Sequence, residues 1–158
     1  MNQKQKALNS KQNAMIVDEI KAAGFIVYRI IQENIQYLLL QSSKNPHHWT
    51  PPKGHLEPNE TELQAAYRET FEESSLKSDQ LRVHDDPMSI RYQVNGKNKL
   101  VTYWLAEMSD PEAVIVTSCE HQDFRWASFD EAKKLMQFEN LITLLNEAHQ
   151  ILAKRLNK

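Results

Sequence analysis

Between Ser42 and Glu60 the chain reads SSKNPHHWTPPKGHLEPNE, with four prolines and one glycine in nineteen residues. Proline fixes φ and carries no amide hydrogen, so this stretch supports neither a helix interior nor a central strand. It must run as a long, stiffened loop, and it divides the chain into two stretches of different character.

Before the loop, AAGFIVYRII and IQYLLLQ are β-branched and aromatic runs of strand length, joined by Gln32-Glu33-Asn34 as a short turn. The unbroken Leu38-Leu39-Leu40 predicts a strand covered on both faces. After the loop a helix begins, with Asn59 or Thr61 as its cap and Thr61-Glu62-Leu63-Gln64 as a capping box. Leu63, Ala66, Tyr67, Thr70 and Phe71 recur at helical spacing and predict its buried stripe. Met88, Ile90, Tyr92 and Val94 then alternate with polar residues, Asn95-Gly96 signals a hairpin, and KLVTYWLAE is the returning strand. AVIV and QDFRWAS predict two further strands. Ser128-Phe129-Asp130-Glu131 opens a short helix to about Phe138. Leu141, Leu144, Leu145, Ala148, Ile151, Leu152 and Leu156 mark a longer amphipathic helix. Strands, a helix, strands and closing helices around a mixed sheet predict an α/β layered domain.

A chain of 158 residues suits one domain, expected over residues 21–158, with residues 1–20 as a polar, mobile extension. The net charge of −2 gives no bulk attraction to nucleic acid or to a membrane surface. The lone Cys119 excludes an internal disulfide and fits a reducing compartment. MNQKQKALNSKQNAM lacks the apolar run of a secretory signal, and no apolar run is long enough to span a bilayer. The expected location is the cytoplasm, with the nucleus also open.

The chemistry-bearing feature is Arg68-Glu69-Thr70-Phe71-Glu72-Glu73, with further acid at Glu57, Glu60 and Glu62. On a helix Glu69, Glu72 and Glu73 are neighbours at three- and four-residue spacing. A fully solvated acidic face would cost only tenths of a kcal/mol per pair. Once buried, each pair repels by about 3 kcal/mol at ~6 Å and an effective dielectric of ~20, a serious load on a total stability of roughly 5–15 kcal/mol. A cation must then sit among them, and all-oxygen ligands suit Mg²⁺, which shares its shell with substrate phosphates. The adjacent loop fits this: Gly54 permits close approach, Lys53 offers a point charge to phosphate, and Pro51-Pro52 holds that lysine in place.

Gly54, five residues, Glu60, seven residues, then Arg68-Glu69-Thr70-x-Glu72-Glu73-x-Ser75-Leu76 resembles the Nudix box over 23 residues. Ser75 stands where the family usually has glycine. HHWTPPKGH, TYWLA and EHQDFRW extend the likeness over most of residues 22–135, to the asymmetrical diadenosine tetraphosphate hydrolases of the animal type. The resemblance implies a Nudix α/β/α sandwich with a mixed β-sheet between helices. It implies Mg²⁺-dependent (or Mn²⁺-dependent) attack of water on a polyphosphate chain, splitting the dinucleoside polyphosphate diadenosine tetraphosphate into ATP and AMP.

The same resemblance implies that Glu69, Glu72, Glu73 and Glu120 bind metal and that Glu72 or Glu73 takes the proton from water. Glu60 and Arg68 fall on a structural pair. His48, Lys53 and Lys99 fall on phosphate contacts, with Lys53 also placed in the catalytic set beside Glu120. Tyr92 and Tyr103 fall on the nucleotide pocket. Some relatives have an aromatic residue shortly before Pro-His-His, whereas this chain has Lys44. Monomeric behaviour is expected, with no membrane or sequence-specific nucleic-acid partner. Two other readings stand beside this one: a Nudix enzyme for a nucleoside triphosphate, ADP-ribose or an RNA 5′ end, and a non-catalytic nucleotide-binding module.

Overall fold

A computed structural model describes residues 19–157. The extension expected over residues 1–20 therefore lies, apart from Glu19 and Ile20, outside the described residues.

One mixed sheet of eight strands organises the chain. β1 (Ile20–Ile31) and β2 (Asn34–Ser42) form an antiparallel hairpin whose turn holds Gln32 and Glu33 at positive φ. β7 (Lys97–Met108) runs parallel to β1 through nine paired positions, from Ile20–Lys99 to Tyr28–Glu107. β5 (Leu81–Val83) and β6 (Met88–Val94) pair antiparallel with β7, and Asn95-Gly96 makes the expected β6–β7 turn. β8 (His121–Ala127) lies along β2.

The proline-rich loop is not wholly irregular. It carries two short strands, β3 (Trp49–Thr50) against β2 and β4 (Lys53–His55) against β1, with Pro51-Pro52 between them. Neither proline has to donate to a ladder, so the expectation against a long central strand and the presence of these fragments are compatible. At Gly24 a Cβ would stand 2.0 Å from the Pro52 carbonyl oxygen, so a bare backbone lets the loop press onto β1.

Helices cover both faces. α1 (Glu62–Ser74) packs on one, over Ala23, Phe25, Val27, Leu38 and Leu40. α2 (Phe129–Met136) and α3 (Glu139–Leu156) pack on the other, over Ile26, Tyr28, Tyr37, Leu39 and Leu105. Strand alternation thus feeds two separate cores, and Leu38-Leu39-Leu40 is buried throughout, as its unbroken apolar run predicts. This is the expected α/β/α sandwich. Among the described residues no helix is long and apolar enough to cross a membrane.

Two expectations fail. AVIV forms no strand: Val116 donates its amide to the Ser74 carbonyl, Ile115 alone is buried, and Val114 and Val116 are 75% and 57% exposed. The segment closes the end of α1 instead of meeting a sheet edge. The buried stripe of α1 is also rotated from the expected one, since Leu63 and Phe71 are 39% and 50% exposed while Ala65, Ala66, Thr70, Glu73 and Ser74 are buried.

Candidate active site

Thr61 caps α1, accepting the Gln64 amide while Gln64 returns a bond to the Thr61 amide, as the capping-box sequence predicts. The helix ends at Ser75 in the left-handed region, φ 66°, where its amide bonds the Phe71 carbonyl and its hydroxyl bonds the Val116 carbonyl. Serine thus performs the glycine's task here, with a hydrogen bond of about 1 kcal/mol offsetting a left-handed backbone cost of similar size.

The rotated face of α1 creates the site. Small residues at Ala65, Ala66 and Ser74 let the helix settle close to β1 and β4, which turns Glu69 and Glu73 inward. Glu73 is 6% exposed and accepts the Lys53 amide at 3.1 Å. Burial pushes its carboxyl up to about 8, against the bond from Lys53, with Glu69 and Glu120 adding repulsion. Glu69 lies over Gly54, where a Cβ would stand 2.0 Å from its carboxyl carbon. Burial raises its pKa too, opposed by Arg68. The glycine is therefore required by the carboxylate above it rather than by a turn.

Arg68 ties the helix to the loop. Its guanidinium meets Glu60 at 2.8 and 2.9 Å and the His55 carbonyl at 2.9 Å, the structural pairing expected from the sequence. That paired arginine holds the Glu60 carboxyl down at about 2. Its other edge meets Glu69 at 2.8 Å and Glu72 at 3.2 Å. Among the described residues, neither Glu73 nor Glu120 makes an ion pair.

A cavity of about 750 Å³ joins these groups. Glu69, Glu72, Glu73 and Glu120 all line it, and so do His48, Lys53, Tyr92 and Tyr103. Eight of the nine expected site residues therefore share one space, although they come from four separated stretches of chain. Lys99 is not among its lining residues; its ammonium sits 5.8 Å from the Tyr92 ring centre. Burial and then Lys53 bring its pKa down to about 8. Tyr103 is 1% exposed and belongs to the core, so it supplies floor rather than an open ring face.

Phe138 is a lining residue that the sequence reading missed. It is 38% exposed, sits between α2 and α3, and packs against the His48 ring at 4.5 Å between centres.

The donor set suits a hard divalent cation. Four carboxylates line one cavity, and Glu73 is buried and makes no ion pair among the described residues. Among the described residues no three side chains already converge on one point, because Arg68 draws Glu69 and Glu72 toward itself.

A NUDIX domain model matches residues 20–147. The asymmetrical bis(5′-nucleosyl)-tetraphosphatase of Caenorhabditis elegans is 44% identical over 135 residues, covering 85% of this chain and 97% of that protein. Its counterpart in Rattus norvegicus is 43% identical over 140 residues, covering 84% and 95%. The crystal structure of a C. elegans Ap4A hydrolase binary complex superposes with a TM-score of 0.83 at 43% identity, covering 85% of this chain and 98% of that one.

Proposed function

The chain belongs to the Nudix hydrolase family, and from that premise we propose that it is an asymmetrical bis(5′-nucleosyl)-tetraphosphatase. Water would attack the polyphosphate chain of diadenosine tetraphosphate and yield ATP and AMP. Family membership carries dependence on a divalent metal, and the all-carboxylate donor set favours Mg²⁺, with Mn²⁺ as a substitute. The observation that carries this reading is Glu73, buried and without an ion pair among the described residues, in a cavity shared with three other carboxylates and with Lys53.

Glu69, Glu72, Glu73 and Glu120 would hold the metal. When bound, it neutralises phosphate charge and makes the attacking water more acidic. Every other task falls to the chain. Lys53 brings a positive charge and His48 a ring hydrogen-bonding group to the phosphates, and Lys99 adds a second ammonium, 5.8 Å from the Tyr92 ring centre. Tyr92 and Phe138 offer ring area to an adenine beside the apolar Ile90 and Leu141. Of the two candidates for general base, Glu73 is fixed by the Lys53 amide, whereas the Glu72 side chain is 52% exposed and can turn toward a water. Glu72 is the better placed proton acceptor and Glu73 the better placed ligand. The protein would act as a monomer in the cytoplasm.

Turnover of diadenosine tetraphosphate in ¹⁸O-labelled water with Mg²⁺ tests the proposal. Equal amounts of ATP and AMP, with one labelled oxygen in one of them, are expected. ADP as sole product, or turnover of a nucleoside triphosphate, ADP-ribose or a capped RNA in preference, would reassign the substrate. Nucleotide binding without any turnover would make the chain a binding module.

A further inference from the structure

α2 and α3 form a helical hairpin, closed at one end by Gln137 and Phe138 and held at the other by a pair of rings. Phe129, the first residue of α2, lies face to face with His149 of α3, at 3.9 Å between ring centres and 3° between planes. The Tyr37 hydroxyl, on β2, donates to His149 Nδ1 at 2.7 Å, and Tyr37 is 1% exposed. Burial and then the Lys133 charge lower the pKa of His149, so its ring is neutral at pH 7 and Nδ1 is free to accept. Tyr37 stands opposite Ala127 in the β2–β8 ladder, just before Phe129, so one joint gathers β2, α2 and α3.

The apolar contacts beneath α3, through Leu145, Ala148 and Leu152, resist its lifting off but carry no direction. A stacked ring pair and a short hydrogen bond are directional, and they fix how the helix is turned and how far it slides. That setting reaches the cavity through backbone. Phe138 is the N-cap of α3: its carbonyl accepts the Ile142 amide at 2.9 Å, and its amide bonds the Met136 carbonyl at 2.8 Å. Its ring is 38% exposed, so its place on the cavity wall follows from where α3 begins.

Resting on the reading of Phe138 as a base-stacking wall, we propose that His149 is a positioning residue for nucleotide recognition. Joined to Phe129 and Tyr37, it sets the α2–α3 hairpin so that Phe138 stands where a base stacks on it. It acts from a distance: neither His149, Phe129 nor Tyr37 is among the residues lining the cavity.

The experiment measures kcat and KM for diadenosine tetraphosphate, and the inhibition constant of inorganic tripolyphosphate, which has no base. The proteins are the wild type, His149→Ala, Phe129→Leu, Phe138→Ala, and each joint variant combined with Phe138→Ala. Phe129→Leu removes the stack but keeps an apolar side chain, so it carries the test should His149→Ala fold poorly. Each joint variant should raise KM about fivefold, part of the loss expected for one base–ring stack, with kcat and the tripolyphosphate constant unchanged. In the Phe138→Ala background neither should raise KM further. A KM unmoved by both joint variants, the same rise on top of Phe138→Ala, or an equal loss for tripolyphosphate would overturn the assignment. So would a KM that Phe138→Ala itself leaves unmoved. If the wild-type protein shows no turnover, the hydrolase reading fails, and the same cycle on calorimetric dissociation constants of AMP still decides the role of His149.

Discussion

Two glycine-to-alanine substitutions should produce opposite signatures. At Gly54 a Cβ would stand 2.0 Å from the Glu69 carboxyl carbon and 2.3 and 2.4 Å from its oxygens. Ordinary contact begins near 3.4 Å, so the carboxylate must retreat by about 1.4 Å. Only the far end of a flexible side chain has to move, and it can swing further onto Arg68, so folding should be nearly unaffected. Catalysis should suffer, because a misplacement of about 1 Å in a reacting constellation costs on the order of 10²-fold. At Gly24 the same methyl meets backbone: the Pro52 oxygen at 2.0 Å and the Lys53 Cα at 2.8 Å. Relief there requires a shift of β4 against β1, an overpacking cost of roughly 1–3 kcal/mol or more. For a chain of this size that is a drop of roughly 2–4 °C in Tm per kcal/mol.

Thermal denaturation and kcat/KM measured on both variants separate the cases. Gly54→Ala should keep its Tm within a few degrees and lose about a hundredfold in kcat/KM. Gly24→Ala should lose stability first. A Gly54→Ala enzyme within threefold of wild type in kcat/KM, with the same metal requirement, would refute the claim that Gly54 exists to seat Glu69.

Further outcomes follow from the same geometry. Lys99 has a pKa brought down to about 8, so its charge is lost as pH rises through 8; KM for a polyphosphate should climb there, and Lys99→Met should flatten that limb. In the free protein the folded state holds this proton less tightly than the unfolded one, so this group's penalty is full below about pH 8 and fades toward 10.5. Phe138→Ala should raise KM by the ~1–3 kcal/mol of one base–aromatic stack while leaving kcat near wild type, as steady-state kinetics would register. Ser75→Gly trades its bond to Val116 against relief at φ 66° and should leave Tm nearly unchanged; Ser75→Ala keeps the strained backbone without the bond and should lose about 1 kcal/mol in denaturant titration.

Much of this site could be read from residue order. The Glu60–Arg68 pairing, the Thr61–Gln64 box and the gathering of Glu69, Glu72, Glu73, His48 and Lys53 all follow from spacing or resemblance, and the structure shows them together. The inner face of α1 was misread for a physical reason. Hydrophobic periodicity assigns large apolar residues to the core, whereas this helix buries alanine, serine, threonine and one glutamate, leaving Leu63 and Phe71 exposed. A site that needs a carboxylate at the sheet inverts the usual pattern. AVIV failed similarly, because strand propensity cannot show that the Ser74 carbonyl at the end of α1 takes the Val116 amide. Phe138 carries no local signature; only the closure of the fold brings it to the cavity.

The central claim is that buried carboxylate on α1 awaits a divalent cation. Its most direct test is calorimetric titration of the folded protein with Mg²⁺, in the wild type and in Glu73→Gln. Burial already pushes the Glu73 carboxyl up to about 8, so near neutral pH the amide keeps its charge state, shape and volume, and Tm without metal should not fall. Wild-type protein should bind Mg²⁺ and gain Tm with it, while Glu73→Gln should lose both the binding and the turnover. Equal Mg²⁺ affinity in the two proteins, or full activity in the variant, would contradict the account.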